Sequence, residues 1–124
     1  MGIKRYYATK DNTITNAFKS SLQTRGVSGN MGQSDILEVF SIYAQVSSST
    51  GLSSELSRVL IEFDTAAINS DRSTGVIPAS GSVNFFLKMY DAEHTQTTPK
   101  NYTLLVQPIS QSWNEGLGLD MEEY

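Results

Sequence analysis

His94 is the only histidine of the chain, and there is no cysteine. Histidine catalysis needs the ring set against a nucleophile and a carboxylate. His94 stands instead in the polar stretch Glu93-His94-Thr95-Gln96-Thr97-Thr98, which reads as a solvated loop. Glu62 and Asp64 lie two apart in a strand-like run, so their side chains share one face. Glycoside hydrolysis needs two carboxylates facing each other across a cleft, so this pair reads as an exposed acidic strand face. Glu115, Asp120, Glu122 and Glu123 form an acidic end whose spacing fits no calcium loop; a solvated tail is expected. Gly26, Gly29 and Gly32 are not followed by the Lys-Ser/Thr of a phosphate loop. Asn101-Tyr102-Thr103 matches the glycosylation triplet, which recurs by chance, and no secretion signal is expected to accompany it. The expectation is a non-enzyme with no catalytic residues, no metal and no cofactor.

Aromatic side chains are the remaining candidates. Tyr43, Tyr90 and Trp113 are rings with a polar handle, suited to packing at a protein interface or to stacking on a sugar. Tyr6, Tyr7 and Tyr124 share that chemistry. Interface or core packing is the preferred reading, with a glycan platform as the alternative.

Bulk composition limits the partners. The chain has 124 residues, enough for one domain with a modest core. Nine Lys and Arg against 13 Asp and Glu give a net charge of -4. That balance disfavours nucleic acid, whose binding rests on clustered cations. Charged residues make up only 18%, below the ~25% usual for soluble domains. Polarity comes instead from 17 Ser and 11 Thr, residues that suit strands and turns. Without cysteine there is no disulfide or thiolate metal site. The opening Met1-Gly2-Ile3-Lys4-Arg5-Tyr6 has no apolar segment behind it, so no signal peptide is expected. Tyr6 stands where myristoylation wants Ser or Thr. No apolar run has the length to insert in a membrane.

The elements that would position these residues read as strands. Arg5–Thr9 is a short strand, Asp11-Asn12 its turn, and Thr13–Thr15 a second short strand. Asn16–Gln33 is a long polar loop, with Phe18 and Leu22 as a local anchor. Ile36–Ala44 is rich in β-branched and aromatic residues and apolar on both faces. Ser47–Gly51 is a turn. In Arg58–Asp64, Val59, Ile61 and Phe63 point inward and Glu62 and Asp64 outward. Ile68–Gly81 is a polar connection, with Pro78 incompatible with a central strand. Val83, Phe85, Leu87 and Met89 form the inward face of a further strand. Tyr102, Leu104 and Val106 form another, ended by Pro108. The main strands are expected near residues 35–45, 57–64, 82–90 and 102–108. The expected core is Val59, Ile61, Phe63, Val83, Phe85, Leu87, Leu104 and Val106. No helical period intervenes and there is no internal repeat, which argues an antiparallel all-β domain over residues 1–124, a sandwich or jelly roll.

Several segments, in order, resemble one family. They are Tyr7-Ala8-Thr9-Lys10-Asp11-Asn12-Thr13-Ile14, then Asn30-Met31-Gly32 with Ile36-Leu37-Glu38-Val39, then Arg58–Asp64. After these come Ser80–Tyr90 and the closing Val106–Gly116, with Trp113-Asn114-Glu115-Gly116. The chain is similar to DNRLRE-type domains, jelly-roll modules related to carbohydrate-binding modules and found in bacterial surface proteins and structural proteins of tailed, including marine, bacteriophages. The resemblance implies a non-catalytic structural or interaction module of a phage particle: tail, baseplate, fibre or capsid surface. Such a protein is made in the host cytoplasm and resides in the virion. Its partners would be other virion proteins or copies of itself. The alternative is a module recognising host or matrix polysaccharide. Family domains continue with further strands after the Trp-x-Glu-Gly step. An uncovered sheet edge is therefore expected, either because the chain is the N-terminal part of a longer one or because a neighbour completes the sheet.

Overall fold

The computed structural model describes residues 2–79, 81–95 and 100–119. The acidic tail at Asp120, Glu122 and Glu123, and Tyr124, lie outside them. The chain divides into two units, Met1–Asn84 with Glu115–Tyr124, and Phe85–Asn114.

The first unit is mostly strand, with little helix. β1 (Ala8–Thr15), β2 (Ser41–Ser48) and β3 (Gly51–Phe63) form one antiparallel sheet in the order β1-β3-β2. The central β3 is the longest, at 13 residues, and serves both neighbours. Thr13 faces Val59 and Thr15 faces Ser57 on one side; Ile42 faces Glu55 on the other. Ser48 and Gly51 close the β2–β3 hairpin. There Thr50 N–H donates to Ser48 Oγ at 3.3 Å, and Gly51 takes φ 119°, a conformation open mainly to glycine. The register of β2 slips between Tyr43 and Ser47. Ala44 sits at φ 63° in this bulge, and Val46 N–H donates to Ser53 Oγ at 2.9 Å.

β3 ends in a helix that the polar composition of Ile68–Gly81 did not suggest. α1 runs Thr65–Ser73. Asp64 is its N-cap, with Oδ1 accepting from Ala66 N–H at 2.8 Å and Ala67 N–H at 3.3 Å. A cap of this kind satisfies amides that have no partner inside the helix. Gly75, at φ 76°, ends it, and its N–H donates to Arg72 O at 3.2 Å, the usual left-handed exit. Asp64 is therefore a helix cap, and Glu62 pairs with Lys10 at 3.0 Å. The two carboxylates do not form an acidic strand face.

Other expectations need correction. Asp11-Asn12 lies inside β1, since Glu62, Ile61 and Leu60 opposite Lys10, Asp11 and Asn12 give the strand a continuous ladder. β2 begins at Ser41, five residues after Ile36. Val59, Ile61 and Phe63 are only half-buried, as are Leu60 and Glu62 between them. The buried apolar residues among those described are Met31 and Ile77, accompanied by Asn12, Thr13 and Glu55.

The second unit carries no helix or strand among its described residues. The runs at 82–90 and 102–108 therefore do not form the expected ladders, and Phe85, Leu87, Leu104 and Val106 are exposed rather than core. Period-two alternation reports a segment's capacity to be a strand; a strand also needs a ladder to a second segment, and none is formed among the described residues of these runs.

Candidate functional site

Polar groups converge most densely where Glu115–Gly118 meets β1 and the loop after it. The Glu115 carbonyl accepts from Asn12 Nδ2 at 2.7 Å and from Asn30 Nδ2 at 2.9 Å. Its carboxylate Oε1 accepts from Asp11 N–H at 2.9 Å. Asn30 Oδ1 accepts from Gly32 N–H at 3.1 Å and Gly118 N–H at 2.8 Å. Asn12 Oδ1 accepts from Met31 N–H at 3.0 Å, and Gln33 N–H reaches Gly118 O at 3.0 Å. Two side-chain amides thus stitch three backbone segments together.

The glycines here are required by contact. A Cβ at Gly32 would meet the backbone carbonyl of Glu115, and one at Gly118 the carbonyl of Asn30. Gly116 has φ 81°, and a Cβ there would meet the Asn30 amide. Asn30-Met31-Gly32 and Glu115-Gly116, two of the motifs behind the family resemblance, are therefore two halves of one clasp. With Asp11 N–H taken by Glu115, the clasp also occupies an outward-facing amide of the edge strand β1, which unpaired would invite another chain.

A second anchor is Glu55 on β3, fully buried. Its Oε2 accepts from Phe18 N–H at 3.0 Å and its Oε1 from Ser53 Oγ at 2.8 Å. The Gln45 amide, oriented with nitrogen toward the carboxylate, donates to Oε2 at 2.7 Å. Buried carboxylates persist only when hydrogen-bonded, and these donors join β3, the β2 bulge and the 16–25 loop. In that loop Arg25 lies 4.4 Å over the Phe18 ring and its Nη1 donates to Asn16 O. Nothing in the residues around Glu55 marks it out in the sequence, because its donors lie on a bulge and a loop whose approach depends on the fold.

A third cluster joins the N-terminus to α1. Tyr6 Oη donates to Asp71 Oδ2 at 2.6 Å, and Lys4 Nζ lies 3.1 Å from the same oxygen. The Tyr6 hydrogen bond, with Lys4 second, holds the Asp71 carboxyl below the usual carboxylate range. The same bond, then desolvation and the Asp71 charge, pushes the Tyr6 hydroxyl up to about 12.

The residues singled out for chemistry are dispersed. His94 pairs with Asp91 at 3.6 Å in the second unit. No three His, Asp or Glu among the described residues gather as metal ligands. Among the same residues, no helix is long and apolar enough to cross a membrane. Tyr43 lies on β2, 70% exposed. Tyr90 and Trp113 belong to the second unit; Tyr90 is 82% exposed and Trp113 half-buried. Lys88 Nζ sits 4.7 Å over the Tyr90 ring, covering one of its faces. No family model, curated protein or solved structure matches the chain.

Proposed function

We propose that this chain is a non-catalytic assembly module that works by burying apolar surface against other protein subunits. The setting implied by the family resemblance is a bacteriophage particle, and a jelly-roll sandwich is the architecture the same resemblance implies for the assembled state. The observation that carries the reading is apolar exposure. Phe86 is 87% exposed, Leu105 82% and Val106 80%. Isolated exposed apolar residues are ordinary, but contiguous ones mark interaction sites. The polar clusters support the same reading, since the clasp and the Glu55 anchor spend their hydrogen bonds on holding backbone.

Polysaccharide recognition is the second reading, favoured by the exposure of Tyr43 and Tyr90. Sugar stacking wants an open ring face, and at Tyr90 one face is held by Lys88. A glycan array on the purified chain, run beside a measurement of its mass, separates the two readings. Assembly predicts no glycan retention and a mass above 13.6 kDa. Retention of a polysaccharide by a monomer, lost on Tyr90→Ala, would favour the glycan module.

A further inference from the structure

The clasp is built like a receptor holding a peptide. One half comes from residues 11–33 and the other from residues 115–118, both inside the first unit. The receptor half sets its own geometry. Asn12 is buried, and its Oδ1 accepts from Met31 N–H, which turns its Nδ2 toward Glu115. Asn30 Oδ1 accepts from Gly32 N–H in the same loop, which turns its Nδ2 to the same carbonyl. Two amide donors thus converge on one point that requires an acceptor, since a buried donor left without one is costly. The segment that supplies the acceptor belongs to no helix or strand.

The cleft reads that segment position by position. At the first, Asp11 N–H donates to a carboxylate, Glu115 Oε1, at 2.9 Å, while Asn12 and Asn30 hold the carbonyl of the same residue. At the second, the backbone takes φ 81° and a Cβ would strike the Asn30 amide, so glycine is required. The third, Leu117, is 78% exposed, and the cleft makes little demand on its side chain. The fourth, Gly118, is buried. Its N–H donates to Asn30 Oδ1, its carbonyl accepts from Gln33 N–H, and a Cβ would strike the Asn30 backbone. We infer that Asp11, Asn12, Asn30 and Gln33 form a peptide-recognition site for the sequence Glu-Gly-x-Gly, filled by the chain's own residues 115–118 and able to take the same sequence from a separate peptide. The inference goes beyond the assembly reading and does not rest on it, because the site is complete in a single copy.

The test titrates the full chain with a synthetic peptide of residues 114–119, Asn-Glu-Gly-Leu-Gly-Leu, and follows the Asn12 and Asn30 side-chain amides by nuclear magnetic resonance. In the native chain the tethered segment competes at an effective concentration on the order of millimolar, so binding is weak. Gly116→Ala in the chain unseats that segment. The peptide should then bind about tenfold or more tightly than to the native chain, shift both amides and raise the thermal midpoint of the variant. Peptides with Ala in place of the Glu or of the first Gly should bind this variant about tenfold or more weakly than the parent peptide. If Gly116→Ala does not fold, Glu115→Ala, which removes only the carboxylate contact, takes its place with the same expected order of affinities. The inference is overturned by an opened chain that does not bind the peptide, by equal binding to native and opened chains, by binding that leaves both amides unshifted, or by indifference to the Ala substitutions.

Discussion

Asn30 makes three hydrogen bonds with one amide, and the consequences of losing them can be stated. Asn30→Ala leaves the Gly32 and Gly118 N–H groups without their acceptor, while Glu115 O keeps Asn12. An unsatisfied buried group costs about 1–3 kcal/mol, and this site is part-buried, so a loss of about 1–3 kcal/mol in all is expected from chemical denaturation. Gly116→Ala should do at least as much harm, because it meets both a disfavoured φ and the Asn30 amide. Tyr6 and Asp71 give a pH signature. Asp71 titrates below its unfolded value in the folded chain, so its contact stabilises above the ordinary carboxylate range and fades as pH falls through it. Tyr6 titrates higher when folded, so its contribution is intact below pH ~10 and lost as pH rises toward 12. The stability difference between the native chain and Tyr6→Phe should therefore be flat from about pH 5 to 10 and shrink on both sides. A difference independent of pH across carboxylate and phenol titration would contradict the contact.

At the scale of elements, α1 depends on its cap. Asp64→Ala should cost about 1 kcal/mol and reduce the helical part of the far-ultraviolet spectrum, whereas Asp64→Asn should cost less. The cap is not read from the sequence: the alternation of Arg58–Asp64 places Asp64 on a strand face, and the polar residues after it favour a connection over a helix. The strand character of Arg58–Phe63 and the Ser47–Gly51 turn were legible because their patterns are local. The clasp was half legible: Asn30-Met31-Gly32 and Trp113-Asn114-Glu115-Gly116 stood out as motifs, yet their meeting joins positions 85 apart, which spacing alone does not encode. Glu55 left no trace, because a buried carboxylate among serines looks like any polar strand residue. The runs at 83–90 and 102–108 show the converse limit. Their alternation is local, but pairing is a property of two segments.

At the scale of the whole molecule, what matters is how much apolar surface is left exposed and what could cover it. The first unit secures its β1 edge with its own Glu115 and interrupts its β2 edge with the Ala44 bulge, both devices that discourage stray pairing. The second unit forms no strand edge among its described residues and leaves successive apolar side chains exposed, Phe85, Phe86 and Leu87 in one run and Leu104, Leu105 and Val106 in the other. Self-association is the outcome this contrast predicts. Sedimentation equilibrium of the unmodified chain across a micromolar concentration series tests it most directly. Self-association gives a mass that is a multiple of 13.6 kDa and falls toward the single chain only on dilution. A constant 13.6 kDa at every concentration would contradict it.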